Sequence, residues 1–71
     1  MIKGKIYKCN DIVVFCTSTN IEENALCFEG FVIKSDIYSS LGYHSIAWLK
    51  NDFEEYIGQL DLNNVLINNH L

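Results

Sequence analysis

The side chains able to perform acid–base or nucleophilic chemistry are few, and they are scattered along the chain. His44 and His70 are the only histidines, so proton transfer by an imidazole would need one of them. His44 stands beside Ser45, but a catalytic triad is defined by geometry in space and not by adjacency in the sequence. Glu54 and Glu55 are neighbours, and on a helix they would point about 100° apart, so they cannot flank one substrate. We therefore predict that the chain is not an enzyme.

The three cysteines, Cys9, Cys16 and Cys27, form no close pair. Their odd number and wide spacing fit neither a disulfide framework nor a zinc site built on paired cysteines. Each lies in an apolar stretch, where a reduced thiol behaves as a small buried hydrophobe. Because the two histidines are also far apart, we predict that the chain binds no metal and no cofactor.

The location of the protein is predicted from two absent sequence features. The basic residues near the start are not followed by the apolar run of a secretory signal. No segment approaches the roughly 18 consecutive apolar residues of a membrane span. We predict a cytoplasmic protein that has no membrane partner.

The charge balance argues against a nucleic-acid ligand. The net charge is −4, with five lysines and no arginine, whereas phosphate binding uses clustered cations and base reading favours the arginine fork. Lys3, Lys5 and Lys8 could form a small basic patch, but lysines in this pattern are more typical of a protected sheet edge. The excess of Ile and Asn and the lack of Arg and Pro indicate AT-rich codons, which favours a bacterial or phage origin.

The element expected to organise the fold is a strand over residues 25–34, the longest run of strand-forming residues. Phe28 and Val32 would share one face with Gly30 between them, because side chains alternate along a strand. The other face would carry Cys27, Glu29, Phe31 and Ile33. A glycine between bulky residues indicates a bend or the close approach of another strand. We predict that this run is the central strand.

Three further strands are predicted around it, over residues 3–9, 12–17 and 43–48. The pair Asn10 and Asp11 is a turn signal, so the first two strands should form a hairpin. Residues 18–24 and 35–42 are polar loops, and a last strand or hairpin is predicted within 59–67. For a 71-residue chain that is 49% hydrophobic, this order predicts a single mostly β domain over residues 1–71, with five strands in a small barrel or a strongly bent antiparallel sheet.

One short helix is predicted after the fourth strand, from near Asp52 to near Ile57. Asn51 stands three residues before Glu54, which is capping-box spacing, and Gly58 is placed to end the helix. The alternative is an α+β fold with a longer helix over 45–60, because apolar residues recur there at intervals of three and four.

The order of these signals resembles short uncharacterised bacterial and phage proteins that have a Src-homology-3-like small β-barrel. The resemblance rests on Cys27-Phe28-x-Gly30-x-Val32-Ile33, then Gly42-Tyr43-x-Ser45-x-x-Trp48, then Phe53. It covers about the middle half of the chain. It implies a fold, and it implies no reaction and no catalytic residues.

A second, shorter pattern is similar to the first motif of the Sm-like RNA-binding barrels. Gly30, Val32 and Asp36 have the spacing of its glycine, apolar residue and aspartate. Ser40 stands where that family has its RNA-contacting asparagine, and no second motif with arginine and glycine follows. Nucleic-acid binding is therefore kept as the alternative function.

The aromatic residues suggest the preferred function. Of nine aromatics, Phe15, Phe28 and Phe53 can be used in a small core, which leaves amphipathic rings near the loop 35–42. We predict that Tyr38, Tyr43 and Trp48, with Glu29 or Asp36 at the rim, bind a protein partner. The alternative is that Trp48 caps the core and the tyrosines only cover it. The predicted function is a small non-catalytic protein-binding module, and no sequence feature specifies its partner or its oligomeric state.

Overall fold

Five antiparallel strands form one sheet in the computed structural model, which describes residues 1–22 and 24–57. The strands are β1 (Ile6–Cys9), β2 (Ile12–Ser18), β3 (Cys27–Ser35), β4 (His44–Leu49) and β5 (Glu54–Glu55), and the 3-10 turns are Tyr38–Ser40 and Lys50–Asp52. The sheet order is β4-β3-β2-β1-β5. The predicted mostly β fold with five antiparallel strands is confirmed. Over the described residues the sheet is not closed into a barrel, because β4 and β5 lie at opposite edges.

The predicted hairpin is formed by β1 and β2. Cys9 pairs with Ile12 and Tyr7 pairs with Val14. Asn10 makes the turn with φ of 52°, a left-handed conformation that asparagine tolerates better than most residues. The first strand begins at Ile6 and not at residue 3, because a turn with Gly4 at φ of 88° occupies the preceding residues.

The strand predicted over 25–34 corresponds to β3, which pairs with β2 on one side and β4 on the other. The middle position of the described sheet belongs to β2, so the prediction that this run is the central strand is wrong in that respect. The close approach predicted at Gly30 is confirmed. A Cβ atom at Gly30 would collide with the carbonyl oxygen of Phe15 and would lie 2.7 Å from Cγ1 of Val14.

The main core cluster lies on one face of the sheet, and Val13, Cys27 and Ile33 are also buried but lie outside this cluster. The buried members of the cluster come from the first three strands and are Tyr7, Val14, Cys16, Phe28 and Val32. Phe28 and Val32 therefore share the buried face, as their alternation in the sequence predicts. Four partly buried side chains pack against this cluster. One of them begins β2, and the other three lie outside β1, β2 and β3. They are Ile12, Leu41, Trp48 and Phe53.

The helix predicted from Asp52 to Ile57 is wrong. Lys50–Asp52 forms a single 3-10 turn that no side chain caps, and Phe53 is extended with φ of −115° and ψ of 147°. Glu54 and Glu55 then pair with Lys8 and Tyr7 of β1. The longer helix over 45–60 is also wrong in the residues described, because its first part is β4. The segment is extended because it pairs with β1 and because the Phe53 ring packs against Phe28. These tertiary contacts stabilise the strand more than the capping-box residues would stabilise a helix.

The last strand or hairpin predicted within 59–67 lies outside the described residues, as do Gly58 and His70. In the part of the chain that the structure does describe, no helix is long and apolar enough to cross a membrane.

Candidate functional site

Five aromatic side chains form a continuous row from the core to the surface, which we call the aromatic row. Its members in order are Tyr7, Phe28, Phe53, Trp48 and Tyr43, and successive ring centroids are 6.1, 5.0, 5.7 and 5.9 Å apart. Every contact is edge-to-face, an arrangement that aromatic pairs prefer. Phe28 is fully buried, whereas Tyr43 at the other end is 61% exposed. The row therefore joins an exposed ring to the buried core of the domain.

Trp48 is the link between core and surface. It pairs with Phe28 across β3 and β4, and its indole N–H donates a hydrogen bond of 2.9 Å to the carbonyl oxygen of Gly30. Its ring is partly buried and packs against the core cluster. The same ring makes an edge-to-face contact with the ring of Tyr43. The structure thus gives Trp48 a capping position on the core and, at the same time, contact with an exposed aromatic ring.

Tyr43 is exposed but held in place. Its carbonyl oxygen accepts a hydrogen bond of 2.9 Å from the N–H of Val32, and its own N–H donates one of 3.1 Å to the carbonyl oxygen of Ser40. The preceding Gly42 has φ of 85°, which a glycine adopts without steric cost. Because its backbone is fixed and its ring rests on Trp48, Tyr43 would lose little conformational entropy on binding a partner.

The loop that precedes Tyr43 is ordered by two serines. Ser35 is buried, and its Oγ accepts a hydrogen bond of 3.0 Å from the N–H of Ile37. The Ser40 Oγ lies 2.7 Å from both the Ser35 Oγ and the Ile37 carbonyl oxygen. Asp36 lies in this loop and is exposed. Ser40, which occupies the RNA-contacting position of the Sm-like pattern, is engaged in these contacts within the loop.

Tyr38 begins the 3-10 turn Tyr38–Ser40. Its backbone is therefore in the loop next to Tyr43, as expected. Its side chain lies outside what the structure describes, so its place in the predicted partner-binding group stays a prediction.

The side chain of Glu29 contacts His44. Its neighbours Phe28 and Gly30 are buried on the core face, so the Glu29 side chain points to the opposite face. There its Oε2 lies 2.8 Å from Nε2 of His44. Glu29 therefore lies on the face of β3 opposite Phe28, which alternation along the strand already indicates, and its place at the rim of the predicted partner-binding group stays a prediction.

In the described residues, the side chains considered for catalysis do not lie together. His44 contacts Glu29, whereas the Ser45 Oγ accepts a hydrogen bond of 3.0 Å from the N–H of Ala47. Adjacent strand residues point to opposite faces, so His44 is not placed to activate Ser45. Burial raises the pKa of the Cys16 thiol, which disfavours the reactive thiolate. Among residues 1–22 and 24–57, no group of three potential metal ligands lies together.

The lysines near the start are partly neutralised. The Lys5 Nζ lies 3.6 Å from Oε2 of Glu55, and both side chains are about half exposed. Lys8 stands opposite Glu54 in the β1–β5 pairing. A net basic patch on this edge of the sheet is therefore not formed by Lys5 and Lys8.

A shallow cleft of about 430 Å³ lies between the β1–β2 turn and the segment around the second 3-10 turn. Its lining includes Lys8, Asn10, Asp52 and Glu54, and none of the residues predicted to bind a partner takes part. The side chains that line the cleft are polar and of both charges. Their described contacts do not point to a particular ligand.

The sequence reasoning did not identify β4 as an edge strand with exposed apolar residues. Ile46 is 56% exposed and Leu49 is 46% exposed. Both residues look like ordinary strand residues in the sequence. Their exposure follows from the position of β4 at the end of the sheet, and a single sequence does not specify the order of strands.

A scan against protein-family models, a search of curated proteins and a search of solved structures each found no match for this chain. The resemblance to Src-homology-3-like and Sm-like proteins therefore stays a prediction. Function has to be inferred from the surfaces described above.

Proposed function

We propose that this chain is a small non-catalytic protein-binding module that uses Tyr43 as its main anchor, with Trp48 beneath it and Asp36 in the adjoining loop. The observation that carries the proposal is the state of Tyr43. Its ring is 61% exposed, while its backbone and one ring edge are fixed by Val32, Ser40 and Trp48. An aromatic ring that is both exposed and held in place can bury a large area on a partner at a small cost in conformational entropy.

Physical reasons favour a protein as the partner. Tyr and Trp are the residues most often found as binding hot spots, because they bury a large area and lose few rotatable bonds. The hydroxyl of Tyr43 can hydrogen-bond to a partner's backbone while the ring is buried. Asp36 adds a negative charge to the same loop, so a partner with a neutral or basic contact surface fits best.

The charge distribution supports a protein partner over nucleic acid. The net charge of −4 would repel a phosphate backbone, and Lys5 and Lys8 face carboxylates across the β1–β5 edge. All three cysteines are free, which suits a reducing compartment. We include a cytoplasmic location and a role as a bacterial or phage accessory protein in this proposal.

The proposal is tested by capturing a partner from the native host on the immobilised protein and then measuring its affinity for Tyr43→Ala. Loss of an anchoring tyrosine should weaken binding by about 2 kcal/mol or more, which is roughly thirtyfold. The matched control is Ile57→Ala, since Ile57 is 90% exposed and follows β5 at the other edge of the sheet. A partner that binds Tyr43→Ala as tightly as the parent would contradict the proposal.

A second titration separates the two classes of partner. Single-stranded RNA and DNA are added at low salt, where phosphate contacts are strongest. We expect no binding. Binding that weakens steeply as salt is added would replace the protein-binding proposal with the nucleic-acid alternative.

A further inference from the structure

The hydroxyl protons of Ser35 and Ser40 can be assigned from the distances around them. Ser35 is 1% exposed, and its Oγ accepts a hydrogen bond of 3.0 Å from the N–H of Ile37. The Ser40 Oγ lies 2.7 Å from the Ser35 Oγ and 2.7 Å from the carbonyl oxygen of Ile37. Because a hydroxyl carries one proton, Ser40 can donate only one of these two bonds.

The burial of Ser35 determines which bond Ser40 donates. If Ser40 donated to Ser35, the hydroxyl proton of Ser35 would have no acceptor among the described contacts, and an unpaired buried donor is costly. If Ser35 donates to Ser40 and Ser40 donates to Ile37, every group is paired. The result is a closed ring of hydrogen bonds, from the Ile37 N–H to Ser35, from Ser35 to Ser40, and from Ser40 back to the Ile37 carbonyl oxygen. Hydrogen bonds linked in this way strengthen one another.

The ring ties an exposed turn to the sheet. Ile37 is 65% exposed and Ser39 is exposed, so neither side chain buries enough apolar surface to fix the turn Tyr38–Ser40. Ser35, in contrast, is the last residue of β3 and pairs with Ile12 of β2. The hydrogen bonds of the ring therefore connect a surface turn to a position that the sheet already holds.

A backbone hydrogen bond connects the ring to Tyr43. The carbonyl oxygen of Ser40 accepts it from the Tyr43 N–H over 3.1 Å, while the carbonyl oxygen of Tyr43 accepts a bond from the N–H of Val32. One side of the tyrosine backbone is thus held by β3 and the other by the turn. We propose that Ser35 and Ser40 act as one unit that positions Tyr43 for binding, and this inference rests on the proposed function, in which Tyr43 is the anchor.

The test is the backbone order parameter of Tyr43, measured by NMR relaxation on the full chain. In the parent we expect a rigid value of about 0.85, and in Ser40→Ala a fall towards about 0.6, because the broken ring releases the turn. Ser35→Ala should have the same effect. The double variant should go no lower than either single variant, because each substitution alone already opens the ring.

Two variants serve as controls. Ser40→Thr keeps a hydroxyl at the same position and should retain the parent value. Ser39→Ala removes an exposed hydroxyl from the same turn, one that takes part in no described hydrogen bond, and should also retain it. A general loss of stability would not lower the order parameter of Tyr43, because the value is measured on the folded molecules. Circular dichroism and urea unfolding check that each variant is folded.

Several outcomes would overturn the proposal. They are an order parameter of Tyr43 that Ser40→Ala leaves unchanged, an equal fall in Ser39→Ala, a double variant that falls well below both single variants, and failure of both Ser35→Ala and Ser40→Ala to fold.

The captured partner gives a separate readout. Ser40→Ala should weaken its binding roughly fivefold, the cost of ordering about one side chain, and should add no loss in the Tyr43→Ala background, because Ser40 acts through Tyr43. If the order parameters behave as expected but the partner binds Tyr43→Ala as tightly as the parent, the positioning of Tyr43 stands and the proposed function fails.

Discussion

The indole N–H of Trp48 donates a 2.9 Å hydrogen bond to the carbonyl oxygen of Gly30 on the neighbouring strand. The register of β3 and β4 shifts between Phe28 and Gly30, so a side-chain donor acts where the regular ladder is interrupted. The bond fixes the plane of the indole. Because the same ring makes edge contacts with Tyr43 and Phe53, its orientation determines how the exposed tyrosine is supported.

The first prediction concerns this bond. Trp48→Phe keeps an aromatic ring but leaves the Gly30 carbonyl oxygen without the indole donor. A buried acceptor that loses its partner costs about 1–3 kcal/mol, so the free energy of unfolding in urea should fall by that amount. Trp48→Ala should cost more, because the packing against Phe53 is lost as well. A Trp48→Phe variant as stable as the parent would show that the hydrogen bond contributes no net stability.

The second prediction concerns the close approach of strands at Gly30. In Gly30→Ala the new methyl group would collide with the backbone carbonyl of Phe15. Backbone cannot move aside as a flexible side chain can, so we expect a loss of about 2–3 kcal/mol or failure to fold. Urea unfolding followed by circular dichroism measures either result.

The matched control for this substitution is Gly4→Ala. Gly4 has open space around the position of a Cβ, and its φ is 88°, so only the left-handed backbone is penalised, at about 1 kcal/mol. Equal losses for the two variants would mean that packing at Gly30 is not tight.

The local features of the sequence predicted the inner strands well. Dense β-branched and aromatic residues over 12–17 and 25–34 identify β2 and β3, and the Asn10 turn identifies the hairpin. These signals depend on neighbouring residues in the chain. The face shared by Phe28 and Val32 follows in the same way from alternation.

The predictions that failed depended on contacts between distant residues. Asn51 and Glu54 have the spacing of a helix start, but Glu54 pairs with Lys8, more than forty residues earlier in the chain. The edge position of β4 and the open form of the sheet are also set by strand order. In the candidate site, alternation along β3 already places Glu29 on the face opposite Phe28, whereas the contact of Tyr43 with Trp48 spans the bulge in β4 and could not be derived from spacing.

The third prediction tests the turn between β1 and β2. Asn10 has φ of 52°, a conformation that glycine adopts freely and β-branched residues strongly avoid. Asn10→Gly should therefore change the free energy of unfolding by only a few tenths of a kcal/mol. Asn10→Val should lower it by about 1–2 kcal/mol. Similar stabilities of the two variants, measured by thermal and urea unfolding, would contradict the assigned turn conformation.

The fourth prediction concerns the buried thiol of Cys16. Burial raises the pKa of this thiol in the folded protein above its usual value of 9.0. The unfolded chain therefore releases the thiol proton at a lower pH than the folded chain. The resulting contribution to stability is fully present below about pH 9 and is lost as the pH rises from there towards the folded-state pKa, by up to about 1.4 kcal/mol per pH unit.

The measurement is urea unfolding of the parent and of Cys16→Ala at a series of pH values between about 7 and about 10. All other titratable groups are common to both proteins, so the difference between the two curves isolates Cys16. Cys16→Ala should be less stable at neutral pH, because it leaves a small cavity beside Phe28 and Val14, and its deficit should shrink as the pH rises. A constant deficit would mean that Cys16 ionises equally easily in the folded and unfolded chains, which a thiol with no exposed surface should not do.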